Sequence, residues 1–422
     1  MKDMRSGRNG RAFRTRGMVA PVAGLALVAA MSAGCASSGG GGGGGGSTTS
    51  NTSSVINVAY LGDQSGTLAT TFGQQIIGVK AFVSYYNAHG GLDGHQLKLS
   101  VYDTQSNASS VLSDARLAVE NGADAMVSQD VYFGSATSYL EQQKIPVFGP
   151  GIVPQFYGPG TNGFFSQEGN WIGYEANVQS KYMVSQGHTK IAVVSDADSG
   201  NAVAAHSVAK GVTAAGGNLI YTNYTVDDTS SAALLSLAQK LHSLGAQGVY
   251  TNVYGTAAPQ LQADMAQVGS PNAWVVAGSL GVSPAIPQQF GKTINGLLSE
   301  VFSATWYNPQ VPGIQTYNSA MKTYSPANVQ NAEALNGWAN MMMLKGAVDQ
   351  LGKNSPTPAN LIAAGNKMSG YTGDGLFPPV TFPKMHTQLN PCFALAQIVN
   401  GQWKIVTGNA TNPFECGVGE PA

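Results

Sequence analysis

The stretch from Ile56 to Asp103 carries one complete cycle of hydrophobic and polar pattern in 48 residues. Ile56, Val58, Tyr60 and Leu61 form a short apolar run that stops at Gly62-Asp63-Gln64-Ser65-Gly66. A run this short, bounded by turn residues, predicts a buried parallel strand. Ile76, Ile77, Val79, Phe82, Val83 and Tyr86 then recur at helical spacing, and Gly90-Gly91 ends that helix. After the turn at Gly94, Leu97, Leu99 and Val101 alternate with Lys98 and Ser100, which predicts a strand with one exposed face. The unit is βαβ, and Gln64-Ser65-Gly66 lies at the carboxyl end of its first strand, where open α/β sheets bind ligands.

The same rhythm continues. Helices are predicted over 108–121 and 135–143, and strands over 123–127, 145–148 and 163–167. Alternation with short links predicts a parallel sheet covered by helices on both faces. Near Glu168–Trp171 the rhythm restarts. Helices at 171–186, 201–215, 231–244 and 257–268 alternate with strands at 190–195, 219–226, 248–253 and 273–277, with no internal sequence repeat. A strand at 296–303, a crossing segment Ala304–Pro309 and helices at 312–324, 328–351 and 357–367 follow. A hairpin of 393–399 and 403–406 turns at Asn400-Gly401.

The opening unit resembles the start of type I periplasmic solute-binding proteins of the leucine/isoleucine/valine-binding kind. That family opens with a strand, a "pxSGxxxxxG" loop, a helix ending "iNaaGGinGxk" and a strand ending in Asp. The corresponding residues are Gln64-Ser65-Gly66, Gly73, Asn87-Ala88-His89-Gly90-Gly91-Leu92-Asp93-Gly94 and Asp103, and the order of elements extends the likeness over residues 55–408. The resemblance implies an α/β fold of two doubly wound Rossmann-like lobes joined by a three-segment hinge. Lobe I would comprise residues 55–168 plus 304–381, and lobe II residues 169–303 plus 382–416. It also implies an extracytoplasmic receptor that closes on a small solute and delivers it to an ABC importer permease, with no cofactor. A ligand-sensing receptor feeding a signalling partner is the alternative.

The binding candidates are loops after strands, whose backbone N–H groups and hydroxyls at helix starts suit a ligand oxygen. In the first lobe they hold Ser65, Asp130, Tyr132, Gly151 and Ile152. Family members hold the ligand carboxylate there with Ser/Thr side chains and backbone amides; here an aromatic pair, Tyr132-Phe133, dilutes the hydroxyls. In the second lobe, amino-acid binders use a tyrosine after the first strand, another after the third and an acid after the fourth. This chain has Asp198-Ser199-Gly200, then Tyr254, then Gly278-Ser279-Leu280-Gly281. An ammonium buried without a partner costs several kcal/mol, so the missing acid opens the ligand class. The expected solute is an amino acid or a neutral, aromatic or carboxylate compound, with Asp130, Asp196 or Asp198 available as substitute acids. Any of these side chains could instead belong to an ordinary solvated loop or to packing.

The ends and the composition narrow the setting. Six basic residues between Lys2 and Arg16 precede a short apolar stretch, Met18–Met31, and Ser32-Ala33-Gly34-Cys35. This resembles a lipoprotein signal peptide over residues 1–34, although the usual leucine three places before the cysteine is Ser32. Acylation of Cys35 would anchor the chain to a membrane; ordinary secretion is the other reading. Residues 35–54, with eight consecutive glycines Gly39–Gly46, read as a flexible Gly/Ser tether. Without residues 1–34, 15 of 21 basic and 21 of 22 acidic residues remain, a net charge near −6 that gives nucleic-acid binding no support. The cysteine pair Cys392 and Cys416, in an exported chain, predicts a disulfide; a two-cysteine metal site lacks nearby histidines. No G-x-S-x-G elbow, H-E-x-x-H or phosphate loop is present, so an enzyme is not expected, nor is the repetitive face of an adhesin.

Overall fold

The computed structural model describes residues 55–421 apart from 150, 159, 170–173, 254 and 279–281. The first sheet contains β1 (Ile56–Gly62), β2 (Leu97–Asp103), β3 (Ala125–Ser128), β4 (Val147–Phe148) and β5 (Phe164–Phe165). Its order is β2-β1-β3-β4-β5 and every pairing is parallel. The β1–β2 register runs from Ile56 opposite Leu97 to Gly62 opposite Asp103, so both strands release their loops at one edge. β1 lies between β2 and β3 and is almost wholly buried, as its apolar run requires. β2 is the outer strand: Leu97 is buried, but Val101 is exposed, and the predicted in–out alternation fades along its length. The strands expected over 145–148 and 163–167 shorten to two residues each, because only those pair with the narrow end of the sheet.

A helix from far along the chain completes this lobe. Ala332–Asp349 is buried over most of its circumference and packs on the helix Gln75–Ala88. Its Trp338 ring lies 5.0 Å from that of Phe82 and 5.7 Å from that of Tyr317, edge-on to both. The helices meet at glycines. A Cβ on Gly78 would stand 1.7 Å from the carbonyl oxygen of Ala334, and one on Gly337 would stand 2.1 Å from that of Gln75. The helix starts at Ala332 and not at Asn328, because Asn331 caps it, its side chain accepting from Ala334 N at 3.0 Å.

After β6 (Tyr174–Ala176), the second sheet takes β7 (Lys190–Ser195), β8 (Asn218–Asn223), β9 (Gly248–Asn252), β10 (Trp274–Ala277) and β11 (Leu298–Val301). Beyond the short pair β12 (Ser369–Tyr371) and β13 (Val380–Thr381), it is completed by β14 (Cys392–Val399), β15 (Gln402–Ile405) and β16 (Glu415–Cys416). The order is β15-β14-β11-β10-β9-β7-β8, with β14 antiparallel to β11. The β14–β15 turn places Asn400 and Gly401 at φ of 54° and 74°, as a two-residue hairpin requires. Cys392 and Cys416 face one another on β14 and β16 and form the expected disulfide across 24 positions. Closing such a loop contributes on the order of 3 kcal/mol.

One predicted helix is corrected. Within 171–186 the described chain forms β6 and then a helix, Val178–Ser185. β17 (Gly419–Pro421) pairs antiparallel with β6, and Asn177 Oδ1 accepts from Val418 N at 3.0 Å. That partner, more than 200 positions away, supplies the ladder that local propensity does not register. Two backbone bonds join segments remote in sequence: Asn390 N donates to Glu168 O at 2.9 Å, and Ala304 N to Leu376 O at 2.6 Å.

Gly337→Ala forces its methyl group onto the backbone of the facing helix. The expected loss is roughly 1–3 kcal/mol or more, read as a lower denaturant midpoint with an unchanged slope. A midpoint equal to the parent's would show that the two helices separate without cost.

Candidate functional site

The loops at the carboxyl edge of the first sheet are built around acids. Asp103, the last residue of β2, accepts from Gln64 N and Ser65 N at 3.0 Å each, from Ser65 Oγ at 2.6 Å and from Gln105 N at 3.1 Å. Burial opposes its charge, but these four donors outweigh it and hold the carboxyl below its usual range. The exposed Ser65 thus directs its hydroxyl proton to Asp103, leaving its lone pairs for other contacts.

The next residue links this loop to a deeper one. Thr104 Oγ1 lies 2.5 Å from Asp130 Oδ2 and 3.2 Å from Asp63 Oδ1, and all three residues are buried. Asp130 Oδ1 accepts from Tyr132 N at 2.7 Å. Burial raises the Asp130 carboxyl to about 6; the Asp63 charge adds to the rise, and the bonds from Thr104 and Tyr132 N moderate it. Asp130, Gly151 and Ile152 line one small cavity with Ser128, Gln129 and Phe133, with room for about 10 Å³, the size of a single small polar group. The left-handed φ of 65° at Gly151 brings its backbone so close that a Cβ would meet Phe156 at 2.5 Å. Tyr132 stands beside the cavity with its side chain exposed. Behind this edge, Glu333 accepts from Gln75 Nε2 at 3.0 Å, and burial raises its carboxyl to about 7.

On the second lobe, Asp198 caps the helix Ser199–Ala214 from an exposed position, accepting from Gly200 N at 2.9 Å and Asn201 N at 3.3 Å. The buried Asp196 accepts from Asn201 Nδ2 at 3.1 and 3.0 Å. Tyr254 and Ser279 lie outside the described residues, as does Cys35. Of the eight candidate binding residues, the structure brings Asp130, Gly151 and Ile152 onto one cavity, with Tyr132 adjoining and Ser65 joined to it through Asp103 and Thr104.

Sequence reasoning did not single out Asp63 and Thr104, although the β1–β2 register places both loops side by side. It also missed Glu175 and Glu300, buried on β6 and β11. Burial raises both carboxyls, and the Glu175 charge raises that of Glu300 further and also that of Glu168. An acid inside the apolar stretch Leu298–Val301 was the available signal. No group of three or more His, Cys, Asp or Glu side chains able to hold a metal occurs among the described residues.

Two doubly wound lobes with loops gathered at the carboxyl edges of their strands are the architecture of a type I solute receptor. The chain belongs to the periplasmic binding protein family, whose model matches residues 55–402. Membership implies an extracytoplasmic setting and a solute-binding fold that is not an enzyme family. Solved structures agree in fold. A substrate-binding protein of an ABC transporter from Aeropyrum pernix has a TM-score of 0.70 at 15% identity, covering 84% of this chain and 95% of its own. A branched-chain amino acid ABC transporter protein from Thermus thermophilus with bound valine has a TM-score of 0.70 at 13% identity, covering 83% and 95%. An extracellular ligand-binding receptor from Verminephrobacter eiseniae has a TM-score of 0.67 at 20% identity, covering 83% and 100%. No curated protein matches the chain.

The raised acids set a pH dependence. Asp130 near 6, Glu333 near 7 and the raised Glu168, Glu175 and Glu300 bind protons more tightly in the folded chain than an unfolded carboxyl near 4 does. The stability they contribute is therefore complete below about pH 4 and is lost as pH rises through these values. The melting temperature of the ligand-free protein should fall by several degrees between pH 5.5 and 8.5, and Glu175→Gln with Glu300→Gln should flatten the slope. A melting temperature that climbs over this interval would contradict the assignment.

Proposed function

We propose that this chain is an extracytoplasmic receptor that captures a small solute between its lobes and passes it to an ABC importer permease. The observation that carries the reading is the cavity at the carboxyl edge of the first sheet, in a chain whose family match spans both lobes. Structural neighbours described as transporter binding proteins, one with valine bound, support the transport role. In this reading residues 55–168 plus 304–381 form one lobe and 169–303 plus 382–416 the other, hinged where Asn390 and Ala304 tie the connections together. The solute seats on one set of strand-end loops, and the other lobe swings over it and excludes water. Ser65, Asp130, Tyr132, Gly151 and Ile152 serve from the first lobe, and Asp198, Tyr254 and Ser279 from the second. Acylation of Cys35 would hold the receptor at the membrane by a lipid, with residues 35–54 as the leash.

The purified protein should melt at a higher temperature with its solute present, by an amount that grows with solute concentration. A metabolite screen across amino acids, amines, aromatic acids, amides and sugars that finds no such shift would overturn the receptor reading. Once a solute is in hand, Tyr254→Ala should weaken its binding at least tenfold by calorimetry, and unchanged affinity removes Tyr254 from the site.

A further inference from the structure

The cavity on the first lobe presents acceptors with too few donors. Ser128 lines it at 3% exposure, and its hydroxyl, a donor as well as an acceptor, has no hydrogen-bond partner; neither has Gln129 Oε1 beside it, an acceptor only. Asp130 lies 1% exposed on the same wall, and behind it Asp63, fully buried, has an Oδ2 without a partner. Between the two acids stands a single hydroxyl. Thr104 has one proton to donate, so it cannot satisfy Asp130 Oδ2 at 2.5 Å and Asp63 Oδ1 at 3.2 Å together. Nor does a cation pair with either acid among the described residues: the ion pair Lys345–Asp349 lies elsewhere, on the helix Ala332–Asp349.

We propose that the solute carries an ammonium or similar N–H cation and seats that end on the first lobe, at Asp130 and Ser128, so that the receptor takes amine-bearing solutes. The inference rests on the receptor reading and names its solute class. A cation with several N–H donors would satisfy Asp130 and the Ser128 and Gln129 oxygens at once. In this enclosed setting such charge-assisted bonds are the strong ones. A carboxylate at the same place would add negative charge beside Asp130 and Asp63 and bring no donor. The carboxyl of Asp130, raised to about 6 by burial and by Asp63, is ionised at neutral pH and ready to pair. Phe133, Ile152 and Phe156 line the rest of the cavity and offer apolar surface to the carbon next to the charge.

The polarity is opposite to that implied by the resemblance, in which this lobe holds a ligand carboxylate. Three probes with one branched skeleton separate the cases: isoamylamine carries only the ammonium, isovalerate only the carboxylate, and leucine both. They are read by thermal shift and calorimetry on the full chain, with phenethylamine, putrescine and agmatine extending the amine arm. At least one amine should bind, and bind at least tenfold more tightly than its matched carboxylate. Asp130→Asn, which keeps the shape and removes the charge, should weaken that amine at least tenfold and leave the carboxylate equal or tighter. The comparison on the parent protein holds even if the variant folds poorly. No shift with any amine, a carboxylate preferred over its amine, or amine affinity unchanged in a folded Asp130→Asn overturns the inference. A carboxylate or sugar that binds where amines do not leaves the receptor reading intact, whereas silence across the wider screen removes both.

Discussion

The first lobe depends on two backbones meeting without side chains between them. Gly78 and Gly337 let helices more than 250 positions apart in sequence come close enough that a methyl group on either would collide with the other's carbonyl oxygen. Apolar rings then close around the contact, with Trp338 between Phe82 and Tyr317. Because this helix comes from beyond the second sheet, the chain must leave the first lobe, build most of the second and return. The crossings between the two sheets are therefore a consequence of packing the first lobe.

Electrostatics gives the strand-end edge its character. Asp103 organises the outer loop through four hydrogen bonds and its charge is favoured. One residue later, Thr104 touches two buried acids with a single proton, and charge there is disfavoured. On the second lobe Glu175 and Glu300 repeat the theme around β6 and β11. A protein that buries acids with few cations accepts a cost in stability at neutral pH, and a positively charged solute is one partner that would recover it.

Much of the fold was legible in the chain because parallel strands and their covering helices leave strong periodic signals. Ile56–Gly62, Gln75–Ala88 and Pro312–Tyr324 fall where the pattern puts them. The failures share a cause. β6 exists because β17 pairs with it, and the signal for that lies at the far end of the chain. The candidate site was legible as a set of loops, and the structure gathers Asp130, Gly151 and Ile152 on one of its cavities. What those loops present was not legible, since Ser65 reads as a free hydroxyl until Asp103 is seen to take its proton.

The sequence by itself determined the alternation of strands and helices, the two lobes, the cysteine pair and the glycine-marked loop that places the chain in its family. These are written in spacings of a few residues, which local sterics and hydrophobic periodicity enforce directly. Only the tertiary structure decided that Thr104 stands between Asp63 and Asp130, that Glu300 is buried near Glu175, and that Gly78 and Gly337 face each other's helices. Such relations depend on register and crossing distance between segments remote in sequence, and the charge state of a carboxyl follows from what is packed around it.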